Sequence, residues 1–172
     1  MGEAFTERWG RKEVACGFTN LGTEFVACGA AMLPTEAAPC LTFDRAVRPV
    51  PIWEVYGGSS DWPTADRERL AAYRVIGSDG AGNPVCVEQE SKTVWLLDHE
   101  DHFRTRQFVN SSVGQLAECL LAYIGERQSA QFRAAVRVID SAALVERSFW
   151  WHEAAGLDAE VQLADAFDPT SR

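Results

Sequence analysis

The chain has 172 residues, 47% of them hydrophobic and 24% charged; that is the size and composition of one globular domain, too short for two full cores. Its 25 acidic residues against 16 basic ones give a formal charge of -9, a surface that repels phosphate backbones, so direct DNA or RNA binding is not expected. The longest apolar runs, such as FVACGAAML, are about half the roughly 18 residues of a membrane span, and no signal-peptide pattern opens the chain. A soluble, cytoplasmic protein without membrane contact is expected. An acidic surface attracts a basic partner, although it also serves solubility alone.

In chain order, the first thirty residues have an irregular helical pattern. Thr19 or Asn20 is expected to open a short helix through Phe25 and Val26, which Gly29 ends, with Pro34 confirming the break. LTFDRAV (Leu41 to Val47) and VPIWEVY (Val50 to Tyr56) have the composition of short strands, and Pro49 and Pro51 place them at an edge or beside a bulge. Gly57-Gly58-Ser59-Ser60 is a loop, and Pro63 to Ala72 holds a helical turn or two.

AYRVIG (Ala72 to Gly77) is a strand ending in the turn-forming cluster Ser78 to Pro84. PVCVEQ (Pro84 to Gln89) follows, with Val85 and Val87 on one face and Cys86 and Glu88 on the other. TVWLLDH (Thr93 to His99) is its hairpin return, and TRQFVN (Thr105 to Asn110) is a further strand. An antiparallel meander is expected here.

Val113, Leu116, Ala117, Leu120, Leu121 and Ile124 then repeat at the spacing of one buried helix face, with Ser112 and Gln115 as a capping box. Phe132, Ala135, Val136 and Ile139 mark a second helix. A third is expected from a cap at Asp140 or Ser141 to Gly156, with Leu144, Val145, Phe149, Trp150 and Trp151 as its apolar stripe. Asp158 to Arg172 is expected to be a polar tail. N-terminal helices, a central mostly antiparallel sheet and C-terminal helices describe a single α+β domain with its core in about residues 20–157.

The chemistry-bearing residues are few. Cys16, Cys28, Cys40, Cys86 and Cys119 are odd in number and contain no C-x-x-C pair, so they are expected to be reduced thiols. His99 and His102 form H-x-x-H beside Asp98, Glu100 and Asp101, a set of donors suited to zinc or another divalent ion, but without an obvious third ligand. His152-Glu153 follows Trp150-Trp151 as a packing element with a wet edge. Gly77 to Gly82 is glycine-rich but leads into Asn83-Pro84 and a strand, not into a helix N-terminus that would hold phosphate. No nucleophile is paired with a base. No catalytic residue, metal or cofactor is therefore assigned. What remains is a surface: Glu88, Glu90, Asp98, Glu100 and Asp101 around the hairpin with Trp95 among them, an aromatic bordered by charge as in protein interfaces.

The segments YRVIGSDGAGNPVCVE, TVWLLDHED and FVNSSVGQLAECLLAY together resemble SUKH-superfamily immunity proteins of the fourth subgroup, bacterial proteins encoded beside polymorphic toxins. Met32-Leu33-Pro34 is similar to the superfamily's Leu-Pro step, and IDSAAL (Ile139 to Leu144) with Phe149-Trp150 to its C-terminal helix. One departure is Glu88 to Lys92, where the family commonly has a glycine before the second strand. The resemblance implies a SUKH-like fold, no enzymatic activity and no cofactor. It also implies neutralisation of a cognate toxin, often a nuclease or nucleic-acid deaminase, by tight binding. The -9 charge agrees with a basic toxin as partner. The candidate contacts are Glu88, Glu90, Trp95, Asp98, Glu100 and Asp101. Two other functions fit the same residues: an adaptor of this fold with no toxin, and a metal-dependent hydrolase using Asp98, His99 and His102.

Overall fold

Short runs of β-branched and aromatic residues separated by turn formers dominate the first two thirds of the chain, and they fold accordingly. The computed structural model describes residues 25–28, 31–43, 50–57, 62–126 and 128–166. Strands β1 (Phe25–Cys28) and β2 (Ala31–Pro34) form an antiparallel hairpin of their own. Strands β3 (Glu36–Ala37), β4 (Leu41–Phe43) and β5 (Val50–Pro51) precede two short helices, α1 (Ile52–Val55) and α2 (Thr64–Leu70). Next come β6 (Tyr73–Asp79), β7 (Pro84–Glu88), β8 (Val94–Leu97) and β9 (Arg106–Asn110). The chain ends in α3 (Val113–Gly125), α4 (Ser129–Ile139), a 3-10 turn (Ser141–Leu144) and α5 (Phe149–Ala166). The larger sheet is antiparallel, with strand order β3-β4-β6-β7-β8-β9 and β5 beside β6. An α+β architecture with the expected meander is thus observed. No helix among the described residues is long and apolar enough to cross a membrane.

The sheet has an apolar residue on each side at alternate positions, so both faces carry a core. Phe43, Ile76, Val85, Val94 and Val109 pack against Leu116, Leu120, Leu121, Phe132 and Trp150 of the C-terminal helices. Cys86 and Leu97 face the other way with Tyr73 and Val75, against Ile52, Leu70 and Phe103. Among the described residues, the first face is covered by three helices and the second by α1, α2 and loops. Trp150 is the largest fully buried side chain, with Phe132, Phe149 and Tyr123 rings 5.6, 4.9 and 5.9 Å away. Burial pushes the Cys86 thiol up and the Cys119 thiol up to about 12, which makes both inert packing groups.

Four local expectations are corrected. Phe25 and Val26 lie in a strand, because an apolar run of four residues on each side of Gly29 is too short for a helix but sufficient for a hairpin. The helix start at Thr19 or Asn20, the other N-terminal helices and residues 44–47 lie outside the described residues. The strand expected over Val50 to Tyr56 stops at Pro51, which lacks the N–H a ladder needs and starts α1 instead. The third C-terminal helix does not begin at Asp140 or Ser141. The chain makes a 3-10 turn, reverses through Arg147 at φ 70° and starts α5 afresh at Phe149, leaving Val145 62% exposed and outside the apolar stripe. Finally, α5 continues past Gly156 to Ala166, so Asp158 is no tail residue. Its carboxylate accepts from the Ser129 hydroxyl and lies 3.4 Å from Arg133, tying α5 to α4.

Asp140 is not a cap because its side chain is used elsewhere. Asn110, at the end of β9, and Asp140 are both buried. The Trp150 indole donates to Asn110 Oδ1 (2.8 Å), and Asn110 Nδ2 donates to Asp140 Oδ2 (3.1 Å). Asp140 also accepts from the Ser111 amide (2.6 Å) and hydroxyl (3.0 Å). One residue on, Ser112 caps α3 by accepting from the Gln115 amide (3.2 Å), and Gln115 Nε2 donates to the Ile139 carbonyl (3.0 Å). The last strand and all three C-terminal helices therefore meet at one polar knot inside an apolar layer.

Gly77 has a different kind of constraint. A Cβ there would lie 2.2 Å from the Thr42 carbonyl oxygen and 2.9 Å from the Phe43 ring, so only glycine lets β4 pair with the bulged β6. In urea unfolding, Asp140→Ala is expected to cost about 2–4 kcal/mol, because it strands a buried amide donor. Ser112→Ala, which removes only a cap, is expected to cost about 1 kcal/mol. Gly77→Ala is expected to cost about 3 kcal/mol, the upper end of the range for overpacking. Equal losses for Asp140→Ala and Ser112→Ala would show that the knot contributes no more than a helix cap.

Candidate partner-binding face

The β7–β8 turn solves without glycine a problem that glycine usually solves. Lys92 takes the left-handed conformation itself (φ 62°), donating its amide to the Glu88 carbonyl (2.9 Å) and its ammonium to the Gln89 carbonyl (2.5 Å). The Ser91 hydroxyl donates to Glu88 Oε2 (2.6 Å) and accepts from the Thr93 amide (3.2 Å). The turn is thus built from polar side chains, and Glu90 projects from it exposed.

Register places Trp95 opposite Cys86 on β7 and Phe108 on β9, on the thinly covered face. The Arg106 guanidinium lies 4.3 Å over the Trp95 ring centroid, and Phe108 meets that ring edge-on at 5.5 Å. Arg106 Nη1 donates to the Tyr73 hydroxyl (2.6 Å) and sits 3.9 Å from Glu88. Glu88 and Trp95 are therefore brought together, through Arg106. Neither Arg106 nor Tyr73 stands out in the sequence; the only signal for them is that strand alternation puts both on the face of Trp95 and Glu88. Trp95 Nε1 is buried and has no acceptor among the described residues.

Asp98, Glu100 and Asp101 lie at the opposite end of β8, and two of the three are committed to shaping the β8–β9 loop. Asp98 Oδ1 accepts from the Glu100 amide (2.8 Å), and Asp101 accepts from the amides of Arg104 and Thr105 (2.9 Å each). Glu100 is exposed. The Thr105 side chain first, then these two amides and the Arg104 charge, hold the Asp101 carboxyl below its ordinary value. The acidic cluster expected from sequence is thus two groups, one at each end of β8.

The histidines of this loop make contacts elsewhere than with those acids. His99 Nδ1 lies 2.8 Å from Asn83 Oδ1, and Asn83 is itself held by Asp79 (Nδ2 to Oδ2, 2.9 Å), so His99 belongs to the β6–β7 turn. His102 and Phe103 are both left-handed (φ 60° each), a costly conformation for non-glycine residues. Arg69 pins them by donating to the carbonyls of His102 (2.9 Å) and Phe103 (2.7 Å). That geometry aims Phe103 inward, 5.3 Å from Tyr56 and 5.6 Å from Trp62. Beside it lies a cavity of about 640 Å³ to which His99, His102 and Arg104 contribute. Among the described residues no three His, Cys, Asp or Glu side chains converge as a ligand set.

A family model described as SUKH-4 immunity protein matches residues 33–157, which hold the larger sheet, both of its cores and the polar knot. No curated protein and no solved structure matches the chain.

Asp101 supplies a test of the loop. Its lowered value means that its contribution to stability is complete above the ordinary aspartate pKa of about 3.9 and disappears as pH falls through the lowered one. Asp101→Asn is therefore expected to lower the melting temperature at pH 7 and to match the wild type at strongly acidic pH. A carbon-detected NMR titration should show Asp101 protonating below the ordinary aspartate pKa of about 3.9. A normal titration midpoint would contradict the loop geometry.

Proposed function

The chain belongs to the SUKH-4 immunity protein family, and we propose that it neutralises a cognate bacterial toxin by direct protein–protein binding, without catalysis and in the cytoplasm. Immunity is the role that the family carries. The observation that carries the binding reading is Trp95, a half-buried indole on the thinly covered side of the sheet, stacked under an arginine and bordered by Glu88. Aromatic and arginine side chains in such settings supply most of the affinity in protein interfaces. The contact surface runs along β8 from Glu88, Glu90 and Trp95 to Asp98, Glu100 and Asp101.

The acids on this surface differ in what they offer. Asp98 Oδ1 and both Asp101 carboxylate oxygens accept from backbone amides, and Glu88 faces Arg106. Glu90 and Glu100 are exposed and are the ones available to a cation. With the net charge of -9 they support a basic partner, which fits a toxin that acts on nucleic acid, a nuclease or a deaminase.

The test is calorimetry and biolayer interferometry with the purified toxin domain encoded beside this gene. A nanomolar or tighter Kd is expected, weakening as salt rises. Trp95→Ala should weaken binding by at least about 30-fold, mostly through faster dissociation, the mark of a central anchor. Glu90→Arg with Glu100→Arg should slow association by about tenfold and flatten the salt dependence. No binding by the wild type at low salt would overturn the assignment.

A further inference from the structure

Trp95 also lines a cavity that the family resemblance does not point to. β9 is the last strand of the sheet among the described residues, and no described strand pairs with its outer edge. Against β9, between it and the chain segment that links the 3-10 turn to α5, lies a cavity of about 390 Å³. That volume falls in the range of pockets that take a small ligand or a side chain, about 300–1,000 Å³. Its apolar lining is Trp95, Phe108, Ala142 and Val145, with Arg106 and Arg147 at its rim.

Three properties of this cavity point to the same kind of occupant. First, it is rigid. Gln107 Nε2 donates to the Arg147 carbonyl (3.1 Å), the Ser148 amide to the Val145 carbonyl (2.9 Å) and the Ser148 hydroxyl to the Ala143 carbonyl (2.6 Å). A preformed pocket loses little conformational freedom on binding. Second, Val145 is 62% exposed at its mouth, one of three large exposed hydrophobic residues among those described. Third, the unspent polar groups around it are donors. The Trp95 indole N–H has no acceptor, and the Arg147 guanidinium has no acidic partner among the described residues. Glu146 is the one carboxylate in the lining, against two guanidinium groups. In a chain of net charge -9 this is a local reversal of sign.

We propose that this cavity is the anchor pocket of the toxin interface. It takes one apolar side chain of the toxin, with an adjoining aspartate or glutamate of the toxin paired to Arg147. The inference rests on the immunity role and adds to it the place and chemistry of the deepest contact. The toxin is steered by the acids along β8 and held by an anchor of the opposite sign, apolar and acidic, at the β9 edge.

The experiment uses the full chain and the toxin domain encoded beside its gene, with dissociation followed by biolayer interferometry. Val145→Asp places a like charge where the toxin carboxylate sits, and Ala142→Arg fills the mouth; both residues are exposed, so both variants are expected to melt as the wild type does. Val138→Asp, on an exposed position of α4 outside the lining, is the matched control. Val145→Asp and Ala142→Arg should each raise Kd by at least about 30-fold through faster dissociation, and Val138→Asp by less than about threefold. Arg147→Glu should weaken binding by about tenfold or more, and Arg147→Lys should restore most of it. If the wild type binds and the two pocket variants bind equally well, the anchor pocket is overturned while the immunity role stands. If the wild type itself fails to bind, the immunity role falls and the pocket with it.

Discussion

The structure depends on one buried polar knot. Asn110 can satisfy the Trp150 indole and the Asp140 carboxyl at once because its amide presents an acceptor and a donor side by side. No apolar residue and no single-purpose donor does this. The knot fixes where β9 ends, where α3 begins and how α5 lies across both, since Trp150 is the centre of the aromatic packing on that face. Apolar burial alone does not specify such a register, because Leu116, Leu120 and Phe132 would pack nearly as well with a small slip of one helix. Directional bonds within a low-dielectric core remove that freedom.

That knot and three helices secure one side of the sheet, and the other side has a smaller core of its own. Its cover consists of two short helices and a loop whose left-handed residues are pinned by Arg69. Among the described residues, Arg106 lies over the Trp95 ring and Phe108 meets its edge. An interface needs this combination of a rigid base and apolar surface incompletely covered by the protein's own elements.

Much of the fold was legible because it depends on local periodicity. Val85 and Val87 against Cys86 and Glu88 fixed the faces of β7, and the Leu116–Leu120–Leu121 spacing fixed α3. What escaped depended on tertiary competition. Asp140 has the residue type and position of a helix cap, and no local rule says that Asn110 and Ser111, thirty and twenty-nine residues earlier, claim its oxygens. Likewise Asp98 and Asp101 count as surface acids until the β8–β9 loop is folded, when their oxygens prove to be turned onto amides. Trp95 and Glu88 were legible as site candidates from strand alternation and charge. Arg106, which joins them, and the pocket beside β9 were not, because each depends on which strand lies at the sheet edge.

The segments that resemble the family carry both residues that hold the fold and residues proposed to face the partner, since Trp95, Asp98, Glu100 and Asp101 all lie within Thr93 to Asp101. Phe108-Val109-Asn110-Ser111-Ser112 and Ile139-Asp140-Ser141 meet at the polar knot, and the glycine of Ile76-Gly77-Ser78-Asp79 lets β4 approach β6. These contacts hold the fold, whereas Phe108 and Ala142 of the same segments line the cavity beside β9. One departure from the family pattern, Glu88 to Lys92, falls on the proposed partner face. Lys92 adopts the left-handed turn conformation there, and its ammonium and the Ser91 hydroxyl tie the turn to Gln89 and Glu88. Because the knot lies apart from that turn, the turn and the exposed Glu90 and Glu100 can change while the knot holds the helices and sheet in place.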